Sequence, residues 1–290
     1  MPALALTPVL AHGAATASSA DVVIVFAASL WVLGSVRILT GRPGVRRVVG
    51  SWRLIAGFTA FVVLGAVLSP WFDTAADAAL WVHMVQHLAL GLIAPLLLCV
   101  ARPTLVFSSV LDPPARRRLE RNVAVLRRRW GLRRHVGQWA VAATALHVAG
   151  WWSWHVPVVF DLALRHDSVH AAEHATLFSI GLLLWWVCIG VRWDDRGPAA
   201  VFVLFGAAVG TGMIGALLTI APEPVYATTL SGVQRWGLTR LSDQQLGGVI
   251  MWVVGGAVYL SAATLVAVRW LLLGPARGQS IVIGTPEHPG

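Results

Sequence analysis

Lysine is absent from the 290 residues, and all 22 basic side chains are arginine. Charge of either sign is scarce, at 12% of the chain against roughly 25% in soluble domains. Hydrophobic residues make up 57%, and mean hydropathy is +0.72. That balance excludes an ordinary soluble enzyme, which has too little interior to hide so much apolar surface. It equally excludes disorder, because chains that stay unfolded are poor in apolar residues. Two cysteines are too few for a disulfide framework or an all-thiolate metal site. No Gly-rich turn follows a strand, and no Ser, His and Asp fall in triad order at one depth, so nucleotide-binding and serine-hydrolase chemistries have no carrier. The basic balance does not point to nucleic acid, since neither aromatic interleaving nor a recognised binding module accompanies the arginines.

What is present is a series of apolar runs, each near the roughly 20 residues needed to cross a hydrocarbon core. Seven are expected, at about 21–39, 52–69, 80–100, 138–156, 169–191, 199–220 and 246–272. In lipid the backbone must satisfy its own hydrogen bonds, so each is expected to be a helix and the fold class is an all-α integral membrane protein with seven transmembrane helices. No motif repeats between the halves, so an inverted-repeat transporter is not signalled. The Ala-rich segment through Ser19 lacks the basic start of a secretory signal, so a cleaved signal peptide is only weakly signalled there and cleavage stays open. Nineteen of the 22 arginines fall on one side of a seven-span arrangement, and only Arg165, Arg235 and Arg240 fall on the other. The positive-inside rule then puts the N-terminus outside and the C-terminus in the cytoplasm. The division expected is a short extracytoplasmic segment (1–20), a membrane domain (21–272) with an Arg-rich cytoplasmic loop (101–137), and a cytoplasmic tail (273–290). Within that loop the arginines from Arg116 to Arg134, interspersed with Leu and Val, predict an amphipathic helix lying on anionic lipid headgroups.

Eight of the ten histidines fall toward the opposite, acidic face: His12, His83, His87, His147, His155, His166, His170 and His174. Four-residue spacing puts His83 and His87 on one face of the third span, and His170 and His174 on one face of the fifth, with Glu173 between them. Titratable groups at membrane depth are costly and mark a functional site. Two His-x-x-x-His pairs can supply four nitrogens to a metal, and Met84, Met213 and Met251 add soft donors that fit copper better than zinc. His147 is either a further donor or half of a helix–helix hydrogen bond. His155 and His166, beside Trp151, Trp152 and Trp154, read as interfacial residues without a site role. Glu173 is either a partner that fixes an imidazole tautomer or a helix-entry carboxylate facing water. Cys99 and Cys188, at the far ends of their spans, read as reduced thiols remote from the histidines.

Three segments carry a family resemblance: His83-Met-Val-Gln-His87 running on to Ala94-Pro95; His155-Val-Pro157 through Asp161 with His170-Ala-Ala-Glu173-His174 and Trp185-Trp186; and Asp243-Gln244-Gln245 through Met251-Trp252. By order and spacing over residues 20–272 the chain resembles the CtaG-type assembly factors of caa-type cytochrome c oxidase. The resemblance implies a non-enzymatic protein of the bacterial plasma membrane that helps copper reach the oxidase catalytic subunit, receiving it from an extracytoplasmic donor protein. It implies site roles for His83, His87, His170 and His174, and for Asp243, Gln244 and Met251. Phe160 stands where the family commonly has Tyr, and Val187-Cys188 follows Trp186 where Pro is common. A haem-binding redox protein using the same His pairs, a copper transporter and a purely structural scaffold are the other readings the residues allow.

Overall fold

A computed structural model describes residues 19–41, 49–129, 135–190, 197–226 and 233–273. These are almost entirely helical, with no strand among them. The order is α1 (Ser19–Thr40), α2 (Ser51–Val67), α3 (Pro70–Ala76), α4 (Leu80–Ala101), α5 (Pro103–Val110), α6 (Pro113–Arg129), α7 (Val136–Trp154), α8 (Pro157–Arg165), α9 (Asp167–Ile189), α10 (Gly197–Ile220) and α11 (Arg240–Leu272). The segments expected at 1–20 and 273–290 lie almost wholly outside the described residues, as do Arg42, Arg46, Arg47, Arg192, Arg196 and Arg277.

Among the described residues five helices are long and apolar enough to cross a membrane: α1, α4, α9, α10 and α11. Helices α2 and α3 form a sixth candidate, bent by 62° at the break between them. Pro70 opens α3 without a backbone N–H to offer α2, and the Ser69 hydroxyl accepts instead from the Phe72 N–H at 3.3 Å, so the chain turns there. Helix α7 stands where the fourth span is expected and is 19 residues long. It is not among the candidates by apolarity, because Gln138, Thr144, His147 and four tryptophans dilute its aliphatic content. The chain is thus a multi-span helical membrane protein with five to six candidate spans among the described residues.

Small residues set how closely these helices approach. A Cβ on Gly181 of α9 would overlap the Gly91 carbonyl of α4, and one on Gly248 of α11 would meet the Gly215 carbonyl of α10. Helix α4 widens into a π turn at Ala89–Ile93, just before Pro95, and the Trp185 indole of α9 donates to the Leu92 carbonyl there at 3.0 Å. Similar π turns interrupt α9 at Trp186–Gly190 and α11 at Ile250–Val254. The buried core runs through α4, α7, α9, α10 and α11, with Trp151, Trp185, Phe160 and Tyr259 its largest members. Helix α1 sits at the periphery, held where the Trp31 indole donates to the Leu54 carbonyl at 3.2 Å. The basic helix expected in the Arg-rich loop is present as α6, although residues 130–134 lie outside the description.

Candidate metal centre

The N-terminal turns of α4 and α9 lie side by side and run parallel, as His83 pairing with His170 and His87 with His174 requires. Within α4 the His83 and His87 rings are 4.2 Å apart, and within α9 those of His170 and His174 are 4.1 Å apart. Across the helices, His83 stacks on His170 at 5.6 Å and His87 meets His174 at 5.9 Å. The four imidazoles predicted from spacing therefore form one cluster. Glu173 points into it: its Oε1 lies 3.4 Å from His87 Nε2, close enough for attraction but not aligned as a hydrogen bond. Of the two readings of Glu173, the water-facing one is set aside, since the side chain is fully buried.

One ligand atom each from His83, His170 and Glu173 lies within 4.8 Å of the other two. Tetrahedral donors about 2.0–2.1 Å from a metal are about 3.4 Å from each other, so closing by roughly 1.5 Å at most would complete a shell. His83, His87 and Glu173 have no exposure, and both ring nitrogens of each histidine and both carboxylate oxygens lack a hydrogen-bond partner among the described residues. His170 Nε2 and His174 Nε2 are buried in the same condition. A buried polar atom without a partner costs about 1–3 kcal/mol, and a cation shared among these donors would satisfy several at once. The chemistry of the set, imidazole with one carboxylate, suits first-row transition metals.

The structure adds His155 to this centre. Expected at the membrane rim, it is 93% buried at the C-terminus of α7, with its ring 5.9 Å from that of His87 and stacked on Trp151. His166 is exposed, as an interfacial residue should be. His147 makes a helix–helix contact of the kind expected as one of its two readings: its Nε2 and the Tyr259 hydroxyl are 2.6 Å apart, joining α7 to α11. Met251 is buried in the α11 π turn, its Cβ close to Gly215, and Met213 is half exposed on α10. Cys99 lies two helical turns beyond the Gly91 contact, its thiol 3.7 Å from the Leu182 carbonyl.

Asp243 and Gln244 are buried, but their bonds go to backbone. Asp243 accepts from the Leu80 and Trp81 N–H groups at 2.8 and 3.1 Å, capping α4 from another helix. Gln244 accepts from the Val225 N–H at 2.6 Å and donates to the Leu218 carbonyl at 3.3 Å. These residues support the His83 helix and the loop beside it. Gln86, which sequence reasoning passed over, does the same on the opposite face of α4. Its amide donates to the Val67 carbonyl at 2.7 Å and to Asp73 at 2.6 Å, tying down the α2–α3 bend. Its position inside the His-x-x-x-His segment was the available signal. Asp77, in the loop between α3 and α4, has its carboxyl raised above the usual range by burial, with nearby His170 pulling the other way. Phe160, lacking the hydroxyl common at its position, packs on His83 at 5.3 Å and on Tyr226 at 4.1 Å.

Residues 24–272 match the description of the cytochrome c oxidase caa3 assembly factor family, Caa3_CtaG. The chain belongs to that family. It is also similar to the uncharacterized proteins Mb0105 of Mycobacterium bovis and MT0111 of Mycobacterium tuberculosis, each 25% identical over 247 residues, 79% of this chain and 36% of the relative. The uncharacterized protein ML1998 of Mycobacterium leprae is 25% identical over 241 residues, 76% of this chain and 35% of the relative. The chain therefore spans little more than a third of the length of the curated relatives it matches. No solved structure matches it. All the clustered histidines fall inside the matched span.

Proposed function

We propose that this caa3 assembly factor holds copper as cargo in the His83/His87/His170/His174/Glu173 centre and passes it to the catalytic subunit of the oxidase. The observation that carries the reading is five converging ligand side chains, three of them fully buried and all with buried donor atoms that lack a partner among the described residues, at one end of a helical membrane bundle. The rings pack 4.1–5.9 Å from one another, which favours a single ion over a haem, whose macrocycle needs a slot between its axial ligands. Seven spans, with α7 as the fourth, put this end outside and the arginines of α6, at the opposite end of α4, against anionic lipid in the cytoplasm. The protein then sits in the bacterial plasma membrane, and an extracytoplasmic copper donor meets it on the acidic face. Transfer proceeds by ligand exchange, in which the receiving site displaces imidazoles one at a time. His170 and His174, partly exposed while His83 and His87 are sealed, form the side of the centre on which exchange begins.

The test is complementation. Cells lacking this chain and supplied with the His83→Ala/His87→Ala variant should build oxidase that lacks activity, while the variant itself accumulates in the membrane. Normal oxidase activity in those cells contradicts the proposal.

A further inference from the structure

His155 and Met84 meet in a way that packing alone does not explain. The His155 Nδ1 lies 2.8 Å from the Trp151 carbonyl oxygen, which can only accept, so Nδ1 carries the proton. In a neutral ring Nε2 then offers a lone pair. Nε2 lies 3.4 Å from the Met84 Sδ, itself an acceptor, so two lone-pair donors face one another with no proton between them. Neither atom reached that position loosely. The His155 ring stacks on Trp151 at 5.9 Å, and its backbone carbonyl accepts from the Tyr226 hydroxyl at 3.5 Å. Met84 is fully buried, and Gly247 of α11, with no Cβ to fill the space, makes room for its side-chain stem.

We infer that Met84 Sδ and His155 Nε2 form a soft seat for cuprous ion beside the imidazole–carboxylate centre. Bonds of about 2.0 Å to nitrogen and about 2.3 Å to sulfur across the 3.4 Å gap give an N–metal–S angle of roughly 105°. That angle is too small for two-coordinate copper and close to tetrahedral, so the seat requires a third donor. His87 supplies it: it lies three residues beyond Met84 on the same helix face, its ring is 5.9 Å from that of His155, and its ring nitrogens have no hydrogen-bond partner among the described residues. A thioether is a soft ligand that selects copper(I) over zinc, whereas His83, His170 and Glu173 form the harder set. His87 is shared by the two, within reach of both Glu173 and His155. The inference rests on the reading of the chain as a copper carrier and specifies which oxidation state the inner seat prefers.

The test uses the full chain in detergent under argon, loaded with copper(I) supplied as its acetonitrile complex, and read by copper X-ray absorption. The wild type should show one sulfur scatterer near 2.3 Å among nitrogens. Met84→Leu should lose the sulfur while keeping nitrogens, and its copper(I) affinity in chelator competition should fall at least tenfold, with copper(II) and zinc affinity unchanged within twofold. The wild-type spectrum alone can overturn the seat, so a poorly folding variant does not shield it. Copper bound through nitrogen and oxygen only would refute the sulfur seat and leave the carrier reading standing. This is also the spectrum expected if His155 is doubly protonated and bonds both neighbours. No bound copper in either oxidation state would refute both. A sulfur signal that survives in Met84→Leu and vanishes in Met251→Leu would move the seat to Met251 and overturn the assignment.

Discussion

Removing the Asp243 carboxylate should loosen α4 more than the loss of an ordinary helix cap. The first N–H groups of a helix have no partner within it. Ala79, at the N-cap of α4 with φ −149° and ψ 133°, has no side chain that could accept from them. Asp243 accepts from two of them, at 2.8 and 3.1 Å, and is itself only 2% exposed. A charge-assisted bond contributes about 1.5–3 kcal/mol, so Asp243→Ala should cost about 3–5 kcal/mol, against about 1–2 for a simple cap. Asp243→Asn keeps one acceptor oxygen and should lose about half as much. Adding Ala79→Ser to Asp243→Ala restores a local cap and should return about 1 kcal/mol, but not the tie between α11 and α4. The assay is unfolding in a graded denaturing detergent, followed by tryptophan fluorescence. A loss below about 0.5 kcal/mol for Asp243→Ala, or complete recovery with Ala79→Ser, would refute the claim that Asp243 anchors the His83 helix across the bundle.

Three further outcomes follow from single contacts. Tyr259→Phe removes the only protein hydroxyl on His147 Nε2 among the described residues and should destabilise the fold by about 1–3 kcal/mol in the same unfolding assay, with metal content unchanged. Gly181→Ala drives a Cβ into the Gly91 carbonyl, backbone against backbone, so α4 and α9 must separate and the yield of folded protein after size exclusion should drop sharply. Gln86→Leu removes both ties to the α2–α3 bend while preserving volume. It should raise protease cleavage between residues 68 and 79 without preventing the four histidines from meeting, since their helices are held together below by the Gly91–Gly181 approach.

Periodicity made the centre legible and distance along the chain hid its surroundings. His83/His87 and His170/His174 could be read from the sequence because four-residue spacing fixes a helix face before any tertiary structure is known. That two such faces meet also followed from their similar positions within spans. His155 was placed at the rim because its neighbours are tryptophans. It turns inward because α7 ends there and its Nδ1 folds back to cap the Trp151 carbonyl, a local closure that hydropathy does not register. Asp243 and Gln244 stand next to the site in family motif order, yet their partners are 163 and 19 residues away along the chain and are backbone groups, which carry no residue signature. The π turns in α4, α9 and α11 were equally silent, since one extra residue in a turn does not disturb an apolar run. The Pro70 break explains why the second apolar run, expected to continue to residue 69, is followed by a separate short helix.

The central claim, that this chain holds copper on its clustered histidines, is tested most directly by the copper content of the chain purified without chelator. Wild type should carry about one copper per chain or more, and His83→Ala/His170→Ala less than about a tenth of that at equal folded protein. Equal copper in the two, or a wild type that binds none when copper is supplied, would contradict the account.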